Sequence, residues 1–319
     1  MQMISLRQLR YFVALARHRH FGRAAEACAI SQPALSLQVR ELEEQLQAQL
    51  VERDHRQIRL TALGEAFAAR ARDILQAVDE LEDLPRAYGQ ALAGQLRIGM
   101  IPTVAPYLLP EVMRRLAGQF PDVDLRPREA VTQKLLADLA EGTLDCAVVA
   151  LPVAGPGLAA QPLFEEEFIL ARPLADSDRP PPDLEGLKAM RLLLLEEGHC
   201  FRDQALAFCN IRSAPKDMME GSSLSTLVRM VGAGIGVTLI PEMAVQAETG
   251  AAAVSVTRLP APHPTRTIGM VWRRSSPLAA HYAQVGEAAR AAFAALRPRL
   301  PDRRRPPRPD PAPRPAARP

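Results

Sequence analysis

Two cysteines, Cys200 and Cys209, lie nine positions apart, and the first is crowded by His199, Arg202 and Asp203. A short apolar run, Leu192 to Leu195, leads through Gly198 into a helix-like segment, which predicts that Cys200 falls in a first helical turn. Free N–H groups and the helix dipole favour a thiolate there. Arg202 and a protonated His199 would add positive charge, whereas Glu196 and Glu197 oppose it. A thiolate attacks peroxides and disulfides, so redox chemistry is what this stretch could do. On these residues alone the commoner fate competes with it, in which both cysteines are small apolar helix residues.

The rest of the chain sets the frame. Its 319 residues suggest two or three domains, and 48% hydrophobic with 24% charged residues is a globular composition. Four cysteines without framework spacing do not build a disulfide-stapled secreted protein, and the absence of a CxxC pair points away from zinc. No metal and no cofactor is expected. The N-terminus has no apolar core of signal-peptide length and no later run could span a bilayer, so a cytoplasmic location is expected, where thiols rest reduced. The net charge of +3 hides a local imbalance. Residues 298 to 319 hold seven Arg and two Asp, a net of +5, leaving −2 for the remainder. Nine prolines among those 22 positions predict a disordered tail, serving solubility or touching nucleic acid.

Apolar spacing predicts three helices in the first fifty residues. Leu6, Leu9, Val13 and Ala16 mark the first, and Phe21, Ala24, Ala25 and Cys28 the second. After a tight turn at Ala29-Ile30, Ser31 caps a third that runs to about Gln47 with Leu35, Val39, Leu42 and Leu46 inward. At 100° per residue, Pro33, Leu37 and Arg40 stand on the opposite side with Ser36 beside them, the pattern of a recognition helix. A plain three-helix packing unit is the alternative. The two short strands Val51 to Arg53 and Gln57 to Leu60 around Asp54-His55-Arg56 tip the balance, as a basic wing.

Leu6-Arg7-Gln8-Leu9-Arg10-Tyr11-Phe12, Phe21-Gly22-Arg23-Ala24-Ala25 and above all Ser31-Gln32-Pro33-Ala34-Leu35-Ser36 resemble the LysR-type winged helix-turn-helix. That resemblance implies that Gln32, Pro33, Ser36 and Arg40 face the major groove and Arg53 the backbone. Arg23, Ser31 and Gln38 complete the expected DNA-binding set. Asp54 departs from the family, where a small hydroxyl residue is common.

Thr61 can cap a helix from Ala62 to about Leu84, with Phe67, Ala71, Ile74, Val78 and Leu81 at 4-3-4-3 spacing. Either a helix lying on its own domain or a dimerising linker fits that seam; the family uses its linker helix for dimers. Pro85 is expected to end or kink it, and Gly89 and Gly94 to loosen the chain beyond. From Leu96 strands and helices alternate, predicting an α/β fold with a mostly parallel sheet in two lobes. The expected division is 1–61 for the winged helix-turn-helix, 62–94 for the linker helix, 95–164 with 265–297 for lobe I, 165–264 for lobe II, and 298–319 for the tail. The LysR type has such a two-lobed, periplasmic-binding-protein-like effector domain. The hydroxyls of Thr103, Thr132 and Ser222/Ser223 stand at strand-to-helix junctions, as ordinary caps or ligand groups. Gly232, Gly234 and Gly236 come after a helix and precede a strand, the wrong order for a nucleotide loop.

Ile101-Pro102-Thr103-Val104, Gly198-His199-Cys200 with Arg202-Asp203-Gln204-Ala205 and Cys209, and Arg266-Thr267-Ile268-Gly269 bring the resemblance to the peroxide-sensing members of the LysR type. It spans residues 4 to 297; Phe201 stands where Leu is usual, and Asn210 to Lys216 depart from the pattern. The resemblance implies a hydrogen peroxide-sensing transcriptional regulator of oxidative-stress genes, not an enzyme, with Cys200 peroxidatic, Cys209 its resolving partner and their disulfide activating. Thr103, Thr132 and His199 would hold peroxide with Asp203 beside them, and Arg202 would support the thiolate. Promoter DNA, RNA polymerase and further copies of the chain, as homodimer or homotetramer, are the implied partners. A LysR-type regulator of a small organic acid would need no paired cysteines. A thiol peroxidase would not need the Ser31-Gln32-Pro33 reader.

Overall fold

The computed structural model describes residues 4–54, 57–89, 92–209 and 219–296, with the side chains of 53, 54 and 57 outside that set. The expected wing turn at His55-Arg56, the Arg53 side chain, Asn210 to Lys216 and the 298–319 tail therefore lie outside the described residues. Helices α1 (Leu6–His18), α2 (Phe21–Ala27) and α3 (Gln32–Leu46) precede a hairpin of β1 (Val51–Asp54) and β2 (Gln57–Leu60), then helix α4 (Ala62–Ala87). Next come β3 (Gly94–Met100), α5 (Ala105–Gln119), β4 (Val123–Glu129), α6 (Thr132–Ala140), β5 (Cys146–Leu151) and a long β6 (Leu158–Pro173). The second half holds α7 (Leu184–Ala189), β7 (Leu194–Leu195), α8 (Cys200–Phe208), β8 (Glu220–Gly221), α9 (Leu224–Gly232) and β9 (Thr238–Pro241). It closes with α10 (Val245–Thr249), β10 (Val254–Arg258), β11 (Thr265–Arg273) and α11 (Ala279–Leu296).

The N-terminal unit forms for local reasons. Ser5 and Gln8 make a reciprocal capping box on α1, and the Ser31 side chain accepts from the Ala34 N–H at the start of α3. Ala29 takes φ 53° in the four-residue turn between α2 and α3. Phe12, Leu15, Leu35, Val39 and Leu42 form its core, and each such side chain contributes about 1.5–3 kcal/mol on burial.

Helix α4 differs from expectation in two ways. Its apolar seam is divided: Phe67 meets Phe12 edge-on at 5.4 Å and Ala71 is buried, whereas Ile74 and Leu81 are 48% and 65% exposed. Pro85 does not end the helix, which runs on to Ala87. The missing N–H falls in the last turn, and Tyr88 still donates to the Leu84 carbonyl. Arg86 then ties that turn down, donating to the carbonyls of Ala93 and Gln95 at 2.8 Å each. Gly94 takes φ +75° with a Cβ position only 3.3 Å from Arg86 Nε, so it fits the guanidinium closely instead of loosening the chain.

The sheet corrects the mostly parallel expectation: its order is β10-β6-β11-β5-β3-β4, with β9 also on β6, and only β4-β3-β5 are parallel. β11 runs antiparallel to both β5 and β6, and β9 and β10 run antiparallel to β6. Strand β6 is the reason. Its first half pairs β11, its second half pairs β9 and β10, and so it carries one strand through two cores. One core gathers Leu96, Met100, Val148, Ile268 and Tyr282; the other gathers Ile169, Leu194, Phe201, Val228 and Ile240. The two-lobed expectation is met.

Candidate functional site

Leu194–Leu195 and the Gly198 turn deliver Cys200 as the first residue of α8, as expected. Gly198 holds φ +97°, which a side chain resists, and His199 takes the N-cap position without a side-chain cap. The half-buried Cys200 thus sits at the positive end of the helix dipole. Across from it, Thr103 comes from the junction of β3 and α5, and Thr132 is the first residue of α6. Ile101, Pro102, Thr103, Val131, Thr132, His199 and Cys200 line one narrow crevice.

The polar groups of that crevice are unequally satisfied. Thr103 is 2% exposed, and its Oγ1 accepts from Arg266 Nη1 at 2.8 Å. Arg266 also donates from Nη2 to the Thr103 carbonyl at 3.2 Å. Thr132 Oγ1 is buried with no hydrogen-bond partner among the described residues. Burial lowers the His199 pKa, against the opposing pull of Glu196 and Glu129. Burial therefore works against the protonated His199 that would add positive charge beside Cys200.

Arg202 and Asp203 do not join the crevice. The Arg202 guanidinium is taken up by the Leu195 carbonyl at 2.8 Å and by Glu220 at 2.5 Å, bracing α8 on the β7-β8 pair. Asp203 is exposed on the first turn of α8. Arg202 is thus a brace for the helix that carries Cys200, because a buried guanidinium must find acceptors and Leu195 and Glu220 supply them.

Cys209 caps the far end of α8, donating its N–H to Ala205 O at 3.0 Å. It is buried among lobe II residues, and burial raises its thiol pKa while Lys188 opposes. All four cysteines are free. Nine helical steps put roughly 13 Å of axial rise between the two residues, against about 7 Å allowed between the Cα atoms of a disulfide. A bridge requires part of α8 to unwind or Cys209 to swing out of its site.

Sequence reasoning passed over Arg266, Glu166 and Phe168 as site residues. Arg266 is fully buried on Glu166, and its guanidinium lies 5.2 Å from the centre of the Phe201 ring, which packs on Phe168 at 4.7 Å. Arg266 carried a signal only as part of a family match.

On and before α3, Ser31, Gln32, Pro33 and Arg40 are exposed, and Ser36 is half-buried. Among the described residues Arg40 has no ion-pair partner. Gln38 is half-buried and donates to Glu41 at 2.6 Å, and Arg23 is exposed with a long 3.4 Å bond to the His18 carbonyl.

The description "LysR substrate binding domain" matches residues 89–294, and "bacterial regulatory helix-turn-helix protein, lysR family" matches residues 6–65. The chain belongs to the LysR family. Among LysR-type relatives, the DNA-binding transcriptional dual regulator OxyR of Escherichia coli is 43% identical over 294 residues, which cover 90% of this chain and 95% of the relative. A probable hydrogen peroxide-inducible genes activator of Streptomyces viridosporus is 42% identical over 93% of this chain and 96% of its own. Full-length OxyR of Pseudomonas aeruginosa, a cysteine-to-aspartate variant, superposes with a TM-score of 0.74 at 36% identity, covering 91% of this chain and 96% of that one. A hydrogen-peroxide-bound cysteine-to-serine variant of Corynebacterium glutamicum OxyR gives 0.64 at 34% identity, covering 92% and 94%. As a LysR-type protein of the OxyR kind, the chain is a DNA-binding regulator and not an enzyme. Among the described residues no helix is long and apolar enough to cross a membrane.

Proposed function

We propose that this LysR-type regulator senses hydrogen peroxide at Cys200 and passes the signal to promoter DNA by forming a Cys200–Cys209 disulfide. The observation that carries the reading is the crevice: a half-buried thiol at a helix N-terminus beside Thr103, His199 and the unpartnered Thr132 hydroxyl.

The thiolate attacks one peroxide oxygen, so an S–O bond forms, the O–O bond breaks and hydroxide leaves, to be protonated to water. Cys200 is thereby oxidised to a sulfenic acid and peroxide reduced. The Cys209 thiol then attacks Cys200 Sγ, forming S–S as the S–O bond breaks and a second water departs. Because α8 must partly unwind or Cys209 must swing out of its site for that step, the disulfide exchanges one packing of lobe II for another, which is a two-state element. Cys209→Ser should stop the sequence at the sulfenic acid.

On the DNA, Gln32, Pro33, Ser36 and Arg40 read the major groove with Arg23, Ser31 and Gln38 nearby, and Arg53 meets the backbone. A homodimer or homotetramer contacting RNA polymerase completes the reading. The exposed Ile74 and Leu81 on α4 support a second chain packing there.

The test is binding of the purified full chain to promoter DNA, reduced and then peroxide-treated, with mass spectrometry of the oxidised protein. A Cys200–Cys209 bridge with changed DNA binding is expected. A bridge through Cys146, or identical binding in both states, would refute the reading.

A further inference from the structure

Glu166 sits in the run Glu165-Glu166-Glu167. Strand alternation splits it. Glu165 is exposed, whereas Glu166 is 1% exposed and stands opposite Arg266 in the antiparallel register of β6 and β11. Glu166 Oε1 accepts from Arg266 Nε at 2.7 Å and pairs with Nη2 at 2.5 Å, and Oε2 accepts from the Met243 N–H at 3.4 Å. Both side chains are fully buried, so each guanidinium hydrogen has a fixed direction. One of them, on Nη1, is aimed at Thr103 Oγ1.

A hydroxyl has one proton and two lone pairs. With one lone pair taken by Arg266, the Thr103 proton is left to point elsewhere, and Thr103 lines the crevice of Cys200. We propose that Glu166 is a positioning residue for the peroxide step: by locking Arg266, it orients the Thr103 hydroxyl as a hydrogen-bond donor into the Cys200 crevice. The inference rests on the peroxide-sensing function proposed above. A donor fixed there stabilises the negative charge that develops on the departing oxygen as the O–O bond breaks, without reorganising at that moment. The same guanidinium also covers the ring of Phe201, the second residue of α8.

Glu166→Gln keeps the shape and removes the charge. Loss of the Cys200 thiol is followed by mass spectrometry in the full chain, with hydrogen peroxide and separately with iodoacetamide, which needs a thiolate but no O–O cleavage. E166Q should slow the peroxide reaction by about tenfold, the scale of one charge-assisted hydrogen bond, and leave alkylation unchanged. T103V should slow it comparably, and E166Q should add nothing in the T103V background. An unchanged peroxide rate, an equal loss with both reagents, or an additive loss in T103V would each overturn the inference. Should thermal unfolding show that E166Q loses its fold, E166D goes through the same cycle and must show the same peroxide-selective loss. A wild-type chain that reacts with peroxide no faster than free cysteine sinks the sensing function itself. A fast wild type with an unchanged E166Q sinks only the role of Glu166.

Discussion

Arg40 and Arg266 carry the same guanidinium into opposite surroundings. Arg40 stands in solvent on α3 with no ion-pair partner among the described residues, whereas Arg266 is fully buried and its donors are spent on Glu166 and Thr103. An exposed charge is satisfied by water until phosphate or a base edge replaces it. A buried one must be satisfied by the fold itself, since leaving it unpaired costs several kcal/mol. The DNA-reading face can therefore be altered without disturbing stability, and its changes appear in affinity. The Arg266 site cannot, because that guanidinium and Glu166 are each other's buried partners.

That contrast can be broken or sharpened by substitution. The largest effect belongs to Cys200→Ser, which should abolish the peroxide response while the reduced protein still binds DNA. DNA binding that still responds to peroxide in this variant would place the sensing thiol elsewhere. Next comes Arg266→Ala. It strands Glu166 as a buried unpaired carboxylate and should cost about 3–5 kcal/mol, read by denaturant unfolding. A variant as stable as the parent would mean that Glu166 does not depend on Arg266 as its buried partner. Arg40→Ala should leave unfolding untouched and weaken DNA binding by about 1–3 kcal/mol with blurred base preference, measured by titration against specific and scrambled duplexes.

A smaller effect arises from His199. Its folded pKa is lowered by burial, so the unfolded chain takes up the proton first. The stability attached to the neutral ring is complete above the ordinary histidine value, and it is lost as pH falls through that value towards the depressed folded one. Replacing His199 with Gln should flatten that slope in unfolding curves recorded across the acid range. The smallest effect belongs to Cys28→Ser, which lies on the reading head and should leave the peroxide response intact.

Much of this protein was legible because short-range chemistry wrote it. The capped helices α1 and α3, the Gly198 turn and the placement of Cys200 at the start of α8 come from nearest neighbours, and the structure has them. Helical period alone also implied that Cys200 and Cys209 are too far apart to bridge while α8 is intact. Thr103 and Thr132 were visible as hydroxyls at strand-to-helix junctions, where ligands in α/β folds gather, and His199 as the neighbour of Cys200.

The features that escaped the sequence depend on strands far apart in the chain. The direction of β11 cannot be read from its own residues, so a mixed sheet looked parallel. The burial of Glu166 is set by a register with Arg266, one hundred positions away. Arg202 looked like a partner for the thiolate because the two are close in sequence, yet its guanidinium points to Leu195 and Glu220. Local order needs only backbone geometry and adjacent side chains, and these the sequence by itself determined. Which charge is buried, which is spent and which hydroxyl is left without a partner depends on contacts made only after the lobes close, and these the tertiary structure decided.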